Sequence, residues 1–214
     1  MKRIIKNEPP EEWRKFVKKH PKFQYKDLNK EKNGMELRQL LKSSLIEEQG
    51  GLCCYCSRQI EVGENSSHNE HLKSRNDYPN ESMNYQNIVA SCNSSTTCGK
   101  YKDKKSITEE YVSPLEDNCK ENFSWSTAGT IFGNNERAKR TIDLLQLNQQ
   151  SLKESRSALI QQCLDIAKSL YDSEEDGKEY IRLEYIESKN GKKPIFSDMI
   201  EWLYNHGDFD SDMV

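Results

Sequence analysis

Apolar residues recur at helical intervals toward both ends of the chain and lose that rhythm in its middle. Trp13, Phe16 and Val17 stand at i, i+3 and i+4 after Pro9-Pro10, one face of a short helix entered through proline. Leu37, Leu40, Leu41, Leu45 and Ile46 then trace one face of a helix from about Met35 to Gln49, which Gly50-Gly51 stop. From Leu52 to about Lys105 no period survives, and Cys, Asn, Ser and Gly become dense. A stretch without an apolar face needs some other organiser, and a metal ion is the natural one.

Beyond it, Phe123 and Trp125 alternate, the chain turns near Ala128-Gly129, and Ile131-Phe132 resume, which predicts a β-hairpin over 122–133. Arg137 to Leu145 reads as a helix. Ser151-Leu-Lys-Glu154 reads as a capping box opening a longer one, with Leu152, Leu159, Cys163, Ile166 and Leu170 on its inner face. On that face Cys163 is a small buried hydrophobe, not a ligand. A polar break at 172–177 precedes Tyr180, Leu183, Tyr185, Ile195, Met199, Ile200, Trp202 and Leu203, enough for one or two further helices. There is no internal repeat, and His20 and His206 read as surface residues.

Composition sharpens this picture. Leu, Ile, Val and Phe supply 42 of 214 residues, just under the level of about one fifth at which disorder competes. The net charge of only -3 fails the second requirement for disorder, so a thin-cored folded protein is expected. No apolar run approaches the ~20 residues that span a bilayer, and the basic start runs into Glu8-Pro9-Pro10 instead of an apolar signal core. A cytoplasmic protein with no membrane segment is the expectation. The charge is uneven: residues 1–30 carry +6 and residues 172–214 carry -7. That suits a polyanion-binding front and a tail for a partner, against the plainer reading of an unevenly charged solvated surface.

Seven cysteines, at 53, 54, 56, 92, 98, 119 and 163, are an odd number without a secretory context, which points to metal or reduced thiols instead of disulfides. Cys53-x2-Cys56 follows the helix stop, and Cys92-x5-Cys98 comes after 35 intervening residues. Two local pairs, each half a cage, are what a tetrahedral Zn²⁺ needs, although the x5 spacing is loose. Cys54 competes with Cys53 on paper, but adjacent residues rarely face one ion and Cys53 has the x2 partner. The competing reading is a set of reduced thiols without metal.

Between the pairs stand Glu70-His71, then Asn87-Ile-Val-Ala-Ser-Cys92, and finally Cys98-Gly-Lys-Tyr-Lys102. An acid-His pair ending one strand, an Asn leading an apolar second strand and a cysteine-bounded turn into a Lys-bearing helix resemble the HNH (ββα-metal) endonucleases. The likeness covers about a quarter of the chain. The Gly-Gly before Cys-x-Tyr-Cys, Ser-Pro-Leu at 113–115, the aromatic hairpin and Leu145-x-Leu147-Asn148 extend it to the PtuB-like HNH nucleases of Septu and retron anti-phage systems. The resemblance implies an α+β protein, mainly α-helical, with an inserted zinc-stapled ββα-metal finger and a small β-hairpin. It divides into an N-terminal helical segment 1–50, the finger 51–110 and a hairpin-plus-helical region 111–214. It also implies a structural zinc on Cys53, Cys56, Cys92 and Cys98, a separate Mg²⁺ or Mn²⁺ for chemistry, a nucleic-acid substrate, DNA or RNA, and an ABC/SMC-type ATPase partner.

Phosphodiester hydrolysis needs a base to make hydroxide and a cation to neutralise the pentavalent phosphorus and leaving oxygen. His71 is the expected base. Glu70 follows from the resemblance as an ion ligand, and Asn87 would hold the loop that orients His71 or touch the ion. Lys100 and Lys102, with Lys104 and Lys105, would face phosphates, or else form a wet helix face. Members of the family commonly carry His or Asn directly after the last cysteine, where this chain has Gly99, so a second ligand falls to Asn93, His68, water or nothing. Ser74 stands where many members have Pro. These departures keep open a zinc-stapled module that binds nucleic acid without cutting it, and a strand-end His71 with a purely structural hydrogen bond.

Overall fold

The computed structural model describes residues 1–169, 174–207 and 209. Leu170, Asp172, Ser173 and the acidic positions Asp208, Asp210 and Asp212 invoked above lie outside the described residues. Helix α1 (Glu11–Lys19) and helix α2 (Gly34–Glu48) precede strands β1 (Ser67–His71) and β2 (Ile88–Cys92) and the short helix α3 (Cys98–Lys102). The hairpin β3 (Phe123–Trp125) and β4 (Ile131–Gly133) follows, then α4 (Glu136–Leu145), α5 (Gln150–Ser169), α6 (Glu174–Ile181) and α7 (Ser197–Asn205). The architecture is α+β: helices around two separate two-stranded antiparallel sheets. No helix among the described residues is long and apolar enough to cross a membrane.

The stop of α2 is a backbone device. Gly50 and Gly51 take φ of 67° and 80°, a left-handed conformation that costs glycine nothing, and Gly51 N–H reaches back to the Ile46 carbonyl at 2.8 Å. The face of α2 carrying Leu37, Leu41, Leu45 and Ile46 is buried and packs on β2, every residue of which is buried. Asn135 caps α4 by accepting from Ala138 N–H at 2.9 Å. The capping box expected at Ser151 does not form: Gln149 supplies the cap, its side-chain oxygen accepting from Ser151 N–H at 2.8 Å, and the helix starts at Gln150, two residues before the Leu152 that such a box would put first. Cys163 is fully buried on α5. The second half of the expected polar break is helical, opening α6.

The hairpin is tied to α5 by a residue with no sequence signal. The Arg156 side chain is buried, its guanidinium 4.8 Å from the Trp125 ring centre and 5.6 Å from that of Phe196. Its Nη1 donates to the Leu147 carbonyl at 2.7 Å. His20 and His206 remain partly or fully exposed, each stacked on an aromatic neighbour, Phe16 and Trp202 respectively.

Candidate functional site

The four cysteines of the two pairs converge. Cys53, Cys56, Cys92 and Cys98 are all buried, and their sulfurs lie within 4.8 Å of one another. A Zn–S bond of about 2.3 Å implies a tetrahedral sulfur–sulfur edge of about 3.8 Å, and Cys56 Sγ stands 3.9 Å from Cys92 Sγ. The first pair rides on a tight turn in which Cys53 N–H donates to Arg58 O (2.8 Å) and Ser57 N–H to Cys53 O (3.1 Å). Gln49 pins that turn to β2: its amide donates to Leu52 O and Ala90 O and accepts from Ala90 N–H at 2.7 Å. Burial pushes the Cys98 thiol well above its ordinary value, whereas hydrogen bonds from the neighbouring thiols hold Cys53 below its own despite burial; a bound cation would let all four give up their protons. Donor type, spacing and burial all fit a structural metal such as zinc. Cys54, Cys119 and Cys163 are buried outside the cluster.

Strand β1 pairs with β2 in a register that sets Glu70 opposite Val89 and His71 opposite Ile88. Glu70 is buried, and its oxygens are divided. Oε1 accepts from Tyr55 OH (3.2 Å) and faces Lys102 Nζ (2.9 Å), while Oε2 faces His68 Nε2 (3.2 Å). Burial alone would raise the Glu70 carboxyl, but the His68 contact and the Lys102 ammonium outweigh it and hold the carboxyl below its usual range.

His71 Nε2 lies 2.9 Å from the Ser82 carbonyl. A carbonyl only accepts, so Nε2 carries the hydrogen and Nδ1 is left as the acceptor of the neutral ring. Burial pushes this imidazole down to about 4, the Ser82 bond only partly opposing it, so the ring is neutral at pH 7. Tyr25 meets it edge-on at 4.8 Å. Asn87 commits its whole amide to the loop that carries Ser82: Oδ1 accepts from Lys73 N–H (2.7 Å), and Nδ2 donates to Lys73 O (3.0 Å) and Glu81 O (3.1 Å). It therefore holds the loop.

Two expectations shift. Lys102 does not face solvent: its side chain is 1% exposed, paired with Glu70 and donating to His71 O at 3.2 Å and Lys105 O at 2.5 Å. Asn93 is spent on positioning: Oδ1 sits 2.7 Å from His68 Nδ1, and Nδ2 donates to Ser67 O and Glu64 O.

A cleft of about 710 Å³ opens over these groups, lined by His68, Glu70, His71 and Gly99 and edged by Lys26, Arg75, Lys100 and Lys104, with Asp103 the acid on that edge. These four cations are exposed, and Arg75 stacks 5.3 Å over the Tyr25 ring. No sequence signal marks Ser82 or Arg75, and Tyr55 in Cys-x-Tyr-Cys and Lys26 in the basic front carry none that assigns them to this cleft. His68 carried a usable signal, since two residues before Glu70 in a strand is the same face.

Fold and site together define an α+β protein with a four-cysteine cluster, joined through Cys98-Gly99 to a cleft that brings a carboxylate, a neutral imidazole and a basic edge together. No family model matches the chain. A curated relative does: over 147 residues the chain is 31% identical to the Retron Vc95 putative HNH endonuclease of Vibrio cholerae serotype O1 biovar El Tor, covering 62% of this chain and 69% of the relative. The chain belongs to the HNH endonucleases of the retron type.

Proposed function

We propose that this protein is a metal-dependent nuclease that hydrolyses phosphodiester bonds in nucleic acid, with β1, β2 and α3 forming a ββα-metal finger. The observation that carries the reading is the His71 imidazole, neutral, tied at Nε2 to Ser82 O and lining a basic-edged cleft beside Glu70. In this reading Nδ1 of His71 takes a proton from water as its oxygen attacks phosphorus, and the P–O bond to the leaving oxygen breaks, that oxygen taking its proton from solvent. Asn87 keeps Ser82 O in place and so fixes the ring. Lys100, with Lys26, Arg75 and Lys104, holds flanking phosphates by charge. Glu70 would hold a Mg²⁺- or Mn²⁺-class ion through Oε2, its Oε1 being occupied by Tyr55 and Lys102. When bound, that ion supplies neutralisation of the charge that builds on the phosphoryl oxygens.

Cys53, Cys56, Cys92 and Cys98 would hold a structural zinc that replaces core in a segment with little apolar residue to bury. Residues 51–110 would then be the catalytic unit, with 1–50 and 111–214 as its flanks. An ABC/SMC-type ATPase partner and an anti-phage role are supported by the PtuB-like resemblance and by the retron named for the relative, with the acidic C-terminal region as the candidate docking segment. The test is incubation of the zinc-replete protein with supercoiled DNA and a structured RNA in Mg²⁺, in Mn²⁺ and without divalent ions. Nicking that depends on the ion supports the reading; binding without cleavage, alone and with a co-expressed ATPase, supports a non-cutting module instead.

A further inference from the structure

The side chains around Glu70 leave one arrangement chemically unbalanced, and it identifies a second ligand. We propose that His68, through Nε2, holds the divalent ion together with Glu70 Oε2, and that Asn93 orients His68 for it; this rests on the nuclease reading above. Asn93 Nδ2 donates to two carbonyls, those of Ser67 and Glu64, which fixes its other end as the oxygen. That oxygen, 2.7 Å from His68 Nδ1, can only accept, so Nδ1 carries the hydrogen. Nε2 of the neutral ring then presents a lone pair to a carboxylate oxygen 3.2 Å away. Two acceptors at that distance need a positive charge between them: a proton, which makes the ring an imidazolium paired with the carboxylate, or a metal ion that takes the proton's place.

The spacing suits such a cation. An octahedral Mg²⁺-class ion with ligands at about 2.1 Å sets adjacent ligand atoms about 3.0 Å apart, against the 3.2 Å found here. Glu70 Oε1 is already satisfied on the far side by Tyr55 and Lys102, which leaves Oε2 for the ion.

Access is preserved by the residue opposite. A Cβ on Gly99 would stand 2.6 Å from Glu70 Oε2 and 2.8 Å from His68 Nε2. A side chain at position 99 would therefore press on both Glu70 and His68, and glycine leaves the space between them open. The His68 side chain is 26% exposed and Gly99 lines the same cleft, so an ion can reach the pair from solvent.

The experiment uses the full-length, zinc-replete protein and Mn²⁺ as probe, read by electron paramagnetic resonance. Wild type is expected to show nitrogen coupling from a directly bound imidazole, retained in His71→Ala. His68→Ala should lose that coupling and bind Mn²⁺ about tenfold or more weakly. Gly99→Ala alone should weaken Mn²⁺ without loss of zinc. Mn²⁺ bound with no nitrogen coupling in wild type, or unchanged by His68→Ala, would overturn the assignment and leave His68 a plain ion-pair partner, with ion-dependent cleavage intact. A wild-type protein that neither binds Mn²⁺ nor cuts would overturn the nuclease reading as well.

Discussion

Replacing Lys102 by methionine separates a buried structural lysine from a phosphate-binding one. The Lys102 and Glu70 side chains are 1% and 7% exposed and 2.9 Å apart, so the substitution leaves a largely buried carboxylate without its ammonium partner. Removing one partner of a buried pair costs about 3–5 kcal/mol. Here the lower end is expected, because Tyr55 OH and His68 still contact the carboxylate, although His71 O and Lys105 O lose their donor. That is a large share of a typical stability of about 5–15 kcal/mol. In Glu70→Gln/Lys102→Met both charges are gone, and most of the loss should be recovered, a coupling of about 2–3 kcal/mol in a double-mutant cycle. The assay is urea unfolding of zinc-replete protein, with Lys100→Met as the contrast. Exposed Lys100 should change stability by under about 0.5 kcal/mol. If Lys102→Met unfolds at the wild-type midpoint but lowers the salt dependence of nucleic-acid binding, the buried pair is refuted and Lys102 is a surface cation after all.

Cys56→Ser should release about one equivalent of zinc and unfold the 51–110 segment, because a structural zinc supplies on the order of 10 kcal/mol to folding; a folded, zinc-replete mutant by metal analysis and circular dichroism would rule the cage out. Asn87→Ala leaves Lys73 N–H, Lys73 O and Glu81 O without their partner, so a loss of about 2–3 kcal/mol is expected with a larger drop in cleavage than in binding. Each of Lys26, Arg75, Lys100 and Lys104, changed to Met in turn, should weaken nucleic-acid binding and reduce the slope of log K against log salt by roughly 0.9 for duplex DNA. An unchanged slope in all four would remove the cleft edge as the phosphate track.

The helices were legible wherever a single face carried the signal: the α2 stripe of Leu37, Leu41 and Leu45, and the Phe123, Trp125 and Ile131 alternation of the hairpin, map onto buried positions. The cysteine pairs were legible because metal chemistry constrains local spacing more than packing does. The environment of Glu70 was not. Lys102 belongs to a Lys-rich run, and nothing in the run distinguishes the lysine that folds inward; its burial depends on α3 being only five residues long and on where Glu70 lies across the sheet. Tyr55, Ser82 and Arg156 contribute through contacts 15, 11 and 9 residues or more away in sequence, which periodicity does not encode. The capping of α5 by Gln149 instead of Ser151 shows the same limit at short range, two candidate caps only two residues apart.

The central claim is that His71 Nδ1 is the base, and His71→Gln tests it most directly. A glutamine amide can still donate to Ser82 O in place of Nε2 but offers no basic nitrogen at Nδ1. Cleavage by the zinc-replete variant, measured in Mn²⁺ against wild type, should fall by about 10²–10⁴-fold, with zinc content and Mn²⁺ affinity kept. Cleavage at the wild-type rate would contradict the account.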